Sequence, residues 1–165
     1  MTNKIPTADL SRIAASALQE VLATQFKLLA VSASPDEMAR AATDSRCLTG
    51  SVDIEGERMS GSLRLQLPEA WVHKINASLL KGRDAVSIDE DDASDLTGEL
   101  CNMIAGRIAA SLAGAGYAST LSTPRVIRGQ PLQLEGDAGC LISRSNWACE
   151  SQVLQLTVFL THKTT

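Results

Sequence analysis

Apolar side chains recur at helical spacing between residues 9 and 31: Leu10, Ala14, Leu18, Val21, Leu22, Leu28 and Leu29. This spacing predicts a first helix over that stretch, with "SASPDE" as its stop. From Asp44 to Leu67 the period shortens to two. "SRCLTGSVDI" and "SGSLRLQL" predict two strands joined by a turn at "EGE", and Leu63, Leu65 and Leu67 alternate with Ser62, Arg64 and Gln66 to give one buried and one wet face. Pro68 then opens a short helix, "PEAWVHKINASLLKG", with Gly82 placed to close it. After an acidic linker, "DEDDASD" at 89–95, a further helix begins, capped by Ser94 or Asp95 and running to about Gly114, where "GAGY" stops it. Beyond it, "STPRVI" and "PLQLE" read as short extended segments. "CLISRSNW" and "SQVLQLTVFL" read as a final antiparallel pair, with Leu154, Leu156, Val158 and Leu160 on one face.

Helix, two strands, two helices, then strands is an α+β order, with helices packed on a largely antiparallel sheet. The 165 residues suit one domain spanning 1–165, and 44% hydrophobic with 21% charged residues is ordinary for a folded soluble chain. A net charge of −4 with no basic face excludes nucleic acid as the expected partner. The cysteines Cys47, Cys101, Cys140 and Cys149 show no metal-ligand spacing, so no metal site is expected. No apolar run is long enough to span a membrane, no leader is apparent, and the expected location is cytoplasmic. His73 and His162 read as surface residues without a metal or relay role, Trp71 and Trp147 as core or interface anchors, and Cys101 as a packing residue.

The chemistry concentrates in "DLTGELCNMIAGR", residues 95–107. At about 100° per residue, Leu96, Leu100, Met103, Ile104, Ile108 and Leu112 cover an apolar arc. Asp95, Glu99, Asn102 and Gly106 form a narrow stripe outside it, extended by Ala109 and Ala113. Such a stripe is either the solvated side of an amphipathic helix or a docking surface. Asn is a mediocre helix former and Gly costs about 1 kcal/mol against Ala, so small residues here suit the close approach of another protein.

"LPEAWVHKINASLLKG", the acidic spacer, "DLTGELCNMIAGRIAASLAGAGY" and "LSTPRVIRG" together resemble the CheX/CheC/FliY phosphatases, CheX-type members above all, most clearly over residues 61–130. The motif positions are Asp95, Glu99, Asn102 and Pro124. The resemblance implies a CheC-like fold and hydrolysis of the phosphoryl-aspartate on a response-regulator receiver domain, typically phosphorylated CheY, in chemotaxis or related two-component signalling. It implies that Asn102 orients the attacking water and Glu99 engages the partner's lysine, with Asp95, Gly106 and Ala109 in the docking surface. It further implies no cofactor of the chain's own, since Mg²⁺ belongs to the receiver domain. A non-catalytic module that binds or sequesters a signalling partner through the same face is the alternative, and a structural subunit of a flagellar switch ranks last.

A weak internal repeat sets Ser16, Glu20 and Ala23 of the first helix against Asp95, Glu99 and Asn102. Either the first helix is a degenerate copy, inactive because alanine cannot orient water, or it is an ordinary core helix. The resemblance also implies that the chain can form a homodimer by strand exchange, for which the long alternating run near the C terminus could supply an unpaired edge.

Overall fold

The computed structural model describes residues 4–41, 46–79 and 89–164. Its elements are α1 (Thr7–Phe26), β1 (Val31–Ser32), α2 (Pro35–Ala41), β2 (Cys47–Gly56), β3 (Met59–Pro68), α3 (Glu69–Leu79), α4 (Glu90–Gly114), β4 (Ser119–Leu121), β5 (Arg125–Gly129), β6 (Leu141–Cys149) and β7 (Gln152–His162). The strands form one seven-stranded sheet in the order β1-β6-β7-β3-β2-β4, with β5 also paired to β2. Every pairing is antiparallel.

Alternation in β2, β3 and β7 builds the core. Leu48 lies opposite Leu67 and Val52 opposite Leu63, while Leu63 and Leu65 meet Val158 and Leu156 on the other side. All are fully buried. Against this apolar face pack Leu10, Leu18 and Leu22 of α1 and Leu100, Ile104, Ile108 and Leu112 of α4. The helical and strand periods thus present complementary apolar surfaces, and their burial drives the two layers together.

The strand order carries the internal repeat. It reads the same from either end when β3 exchanges with β7, β2 with β6, and β1 with β4 and β5. In the first half α1 precedes β1, which pairs with β6 of the second half; in the second, α4 precedes β4 and β5, which pair with β2 of the first. Helix α1 packs on β6 and α4 packs on β2, and the two helices lie beside each other. The halves interlock through their edge strands.

Several sequence expectations need correction. Helix α1 ends at Phe26, because Lys27 adopts a left-handed conformation (φ 57°) and its neighbour Leu28 donates its N–H to the Leu22 carbonyl at 3.0 Å. Leu29, counted into the predicted stripe, is instead 79% exposed. "SASPDE" stops α1 but also starts α2. There Glu37 N–H donates to Ser34 Oγ at 3.2 Å and Ser34 N–H to Glu37 Oε2 at 2.8 Å, a reciprocal cap. Those Ser34 donors hold the Glu37 carboxyl below its ordinary range. Pro68 closes β3 opposite Cys47, and α3 begins one residue later; Gly82 lies outside the described residues.

"PLQLE" is not a strand. Residues 131–135 cross the sheet face opposite α4, where side chains take the place of a partner strand. Gln66 Nε2 donates to the Leu132 carbonyl at 2.9 Å, and Arg144 donates to the Leu134 carbonyl. Gln66, Gln155 and Asn146 are cross-strand neighbours linked amide to amide beneath this segment. The segment and α2 border a cavity of ≈590 Å³ on that face. The long C-terminal run is β7, which lies between β6 and β3 and is paired on both sides. It therefore offers no edge for strand exchange; the sheet's edges are β1 on one side and β4 and β5 on the other. His162 is also less superficial than expected. Its ring packs edge-on to Tyr117 at 5.5 Å, and burial, with Lys4 and Arg58 nearby, holds it below the ordinary histidine range.

Candidate active site

Helix α4 starts earlier than its sequence suggests. The cap is Asp89: Asp92 N–H donates to Asp89 Oδ1 at 2.8 Å, and Asp89 N–H donates back to Asp92 Oδ2 at 3.4 Å. Ser94 and Asp95, the expected caps, lie inside the helix, so all of the "acidic linker" after Asp89 is helical, with Glu90, Asp91 and Asp92 in the first turn, where carboxylates favour the positive end of the helix dipole. At the far end Gly116 (φ 88°) takes the left-handed position. Its N–H reaches the Ala113 carbonyl, and Tyr117 N–H reaches that of Leu112, both at 2.9 Å.

Around α4 the stripe falls where the period predicts. Asp95, Glu99, Asn102 and Gly106 are exposed and Ala109 is half-buried. Leu96, Leu100, Ile104, Ile108 and Leu112 are buried, while Met103 is half-buried at the margin of the arc. Among the described residues neither Glu99 nor Asn102 has a hydrogen-bond or ion-pair partner. Arg107 pairs with Glu20 of α1 at 2.6 Å, and Arg128 of β5 pairs with Glu90 and, at 3.5 Å, with Glu69.

Two glycines set the closeness of α4 to its neighbours. Gly50 of β2 lies under Cys101 and Thr97; a Cβ added there would stand 3.0 Å from Cys101 Cβ. Gly98, on α4 itself, faces Pro124 and Val126, whose atoms lie 3.6–3.8 Å from where its Cβ would be. Pro124, the fourth motif residue, is thereby placed against the helix one residue from Glu99. Nothing in the linear pattern of β2 marks Gly50 as a floor for α4, and sequence reasoning missed it. Cys101 is fully buried, and desolvation pushes its thiol up to about 12, which fits a packing role.

The α1 stripe is exposed too. Ser16 Oγ donates to Glu20 Oε1 at 3.2 Å, and Ala23 is open to solvent. Glu20, the counterpart of Glu99, is neutralised by Arg107, and Ala23, the counterpart of Asn102, has no group to orient water. Between α1 and α4 runs a shallow cleft of ≈290 Å³ lined by Val21, Gln25, Met103, Gly106, Arg107 and Ala110. Glu99 and Asn102 line neither this cleft nor the larger cavity behind the sheet. They stand on a convex helix face, a shape that reaches into a partner and does not enclose a small molecule.

The family model described as "Chemotaxis phosphatase CheX" matches residues 48–143, more than half of the chain. The chain belongs to the CheX family. CheX from Vibrio vulnificus superposes with a TM-score of 0.75 at 18% identity, covering 95% of this chain and 99% of that one. A CheC-like superfamily protein from Shewanella sp. PV-4 gives 0.71 at 21% identity, covering 92% and 97%. The CheX of a CheX–CheY–BeF3–Mg²⁺ complex from Borrelia burgdorferi gives 0.63 at 14%, covering 96% and 99%. At these identities the structural likeness establishes the CheX/CheC-like fold. No curated protein matches the chain in sequence. For this CheX-family chain, no group of three or more His, Cys, Asp or Glu among the described residues is arranged to hold a metal ion. No described helix is long and apolar enough to cross a membrane.

Proposed function

We propose that this chemotaxis phosphatase hydrolyses the phosphoryl-aspartate of a CheY-like receiver domain through Glu99 and Asn102. The observation that supports the reading is the pair itself: a carboxylate and a carboxamide three positions apart on the outward face of α4, exposed and free of partners within the described chain. In this reading α4 docks across the partner's active site. Asn102 enters beside the acyl phosphate and holds a water in line with the phosphorus–oxygen bond. The amide both donates and accepts hydrogen bonds, so it orients water without repelling the phosphoryl oxygens. Glu99 accepts from the partner's active-site lysine. Mg²⁺, on this reading, is carried by the receiver domain.

Phosphoryl transfer through a loose transition state asks for positioning and charge compensation more than covalent chemistry. One ordered water that lowers the barrier by about 2.7 kcal/mol accelerates hydrolysis about a hundredfold. Asp95, Gly106 and Ala109 supply the remainder of the docking surface in this proposal: small groups where the partner's backbone approaches, and one carboxylate. The test is the lifetime of a phosphorylated receiver domain with and without the chain. Asn102→Ala is expected to remove the acceleration, on the order of a hundredfold, while retaining the fold and most of the binding. Wild-type acceleration by that variant would exclude the water-orienting role, and binding by the wild-type chain with no change in phosphate lifetime would identify a sequestering module.

A further inference from the structure

Gly50 lies in close contact with Cys101 where β2 meets α4, and the geometry there bears on Asn102. A Cβ at position 50 would lie 3.0 Å from Cys101 Cβ, 3.2 Å from its Sγ and 3.4 Å from Thr97 Cγ2. Neither neighbour has an easy way to yield. Cys101 Cβ is rigidly attached to the helix backbone and moves only with it. Thr97 is fully buried, and its hydroxyl donates to the Ala93 carbonyl at 2.8 Å, which locks the rotamer that aims its methyl at Gly50. Gly50 itself is held on both sides, opposite Leu65 of β3 and Val126 of β5. An added methyl group therefore lifts α4 off the sheet by a few tenths of an ångström.

The direction of that shift matters. Thr97 and Cys101 mark the sheet-facing side of α4, and at about 100° per residue the Asp95–Glu99–Asn102–Gly106 stripe is centred about 150° away. Raising the helix moves the stripe outward relative to the flanking surfaces, namely α1, whose Glu20 pairs with Arg107 of α4, and the segment carrying Pro124. Those flanks would meet the same docked partner. The height of α4 between them then sets how far Asn102 enters the partner's site.

We propose that Gly50 is a positioning residue: by allowing Cys101 and Thr97 to seat directly on β2, it sets the height of Asn102 in the docking face. This rests on the phosphatase reading above. Displacement of a catalytic group by about 1 Å costs on the order of a hundredfold in rate, so a few tenths of an ångström costs several-fold to about tenfold.

The experiment compares dephosphorylation of a phosphorylated receiver domain by the wild-type chain, N102A, G50A, C101G, G50A/C101A and G50A/C101G. Both the rate at saturating chain and the half-saturating concentration are read, with folding followed by circular dichroism and thermal melting. G50A is expected to lower the saturating rate several-fold with the half-saturating concentration changed less than about twofold. C101G in the double variant removes both of the closest contacts, so G50A/C101G should match C101G alone. C101A leaves the Cβ in place, so G50A/C101A should stay slow. A folded G50A variant at the wild-type saturating rate overturns the proposal, as does equal slowing of G50A with and without C101G. Should G50A fail to fold, the comparison of G50A/C101G with C101G decides by the same criterion. No acceleration by the wild-type chain sinks the phosphatase reading itself, and wild-type activity in N102A sinks the role of Asn102 on which that of Gly50 rests, whereas an inactive N102A beside a fully active G50A sinks only the role of Gly50.

Discussion

Single side chains divide into those whose placement follows from the helix period and those whose placement needs the third dimension. Glu99 and Asn102 belong to the first kind. Once Leu96, Leu100, Ile104 and Ile108 face the core, the period alone puts both outward, and both are exposed. Replacing Glu99 by Gln keeps the shape and removes the charge; the expected result is unchanged thermal stability with weaker acceleration of receiver dephosphorylation, measured at subsaturating chain. Gly50 belongs to the second kind, because its neighbours Cys101 and Thr97 lie some fifty residues away in sequence and meet it only when helix and sheet are assembled. The cysteines lead to a prediction at this scale. Cys47, Cys101 and Cys149 are buried and desolvation raises all three thiols, whereas Cys140 is only half-buried. Thiol titration at neutral pH should modify Cys140 first in the native chain and all four cysteines only in denaturant; rapid native labelling of Cys101 would contradict the close seating of α4 on β2.

Among the elements, α4 carries the proposed site; its end at Gly114 follows the sequence, and its start was the least legible part. Ser94 and Asp95 are both good capping residues by type, but the earlier "DEDD" supplies a reciprocal pair in Asp89 and Asp92, and the helix extends to use it. The same competition explains α1, where Lys27 takes a left-handed position that residue type does not announce, and α2, where Ser34 and Glu37 make a cap inside what reads as a stop signal. Asp89→Ala should lower stability by about 1 kcal/mol, read as a shift in the denaturant midpoint at unchanged slope. The proposed stripe begins more than a turn further on, so the saturating dephosphorylation rate of this variant should stay within about twofold of wild type. The misread "PLQLE" has a different cause. Its alternation is that of a strand, yet its carbonyls accept from Gln66 and Arg144 side chains across the back of the sheet, and the linear pattern cannot show which partner a carbonyl finds.

For the molecule as a whole, composition and alternation disclosed an α+β sheet fold, while strand order was out of reach. The longest alternating run proved to be a central strand. Its apolar face, from Leu154 to Leu160, reports packing against the helices and is silent on which of its edges are paired. Leu65 and Leu156 face each other there at the junction of the two halves. Leu156→Ala should cost about 3 kcal/mol, and because the edge strands interlock the halves, melting should remain one transition by both circular dichroism and tryptophan fluorescence. Two separable transitions would contradict that interlocking. The internal repeat, faint in sequence, is plain in the strand order, and it leaves two exposed helix stripes of which only α4's bears the carboxamide. Asn102→Asp tests that distinction most directly, since it preserves size and exposure while replacing the amide with a carboxylate. At saturating concentration the variant should leave the phosphorylated receiver domain at its spontaneous rate of phosphate loss; hydrolysis at the wild-type rate would contradict the assignment of water orientation to the amide of Asn102.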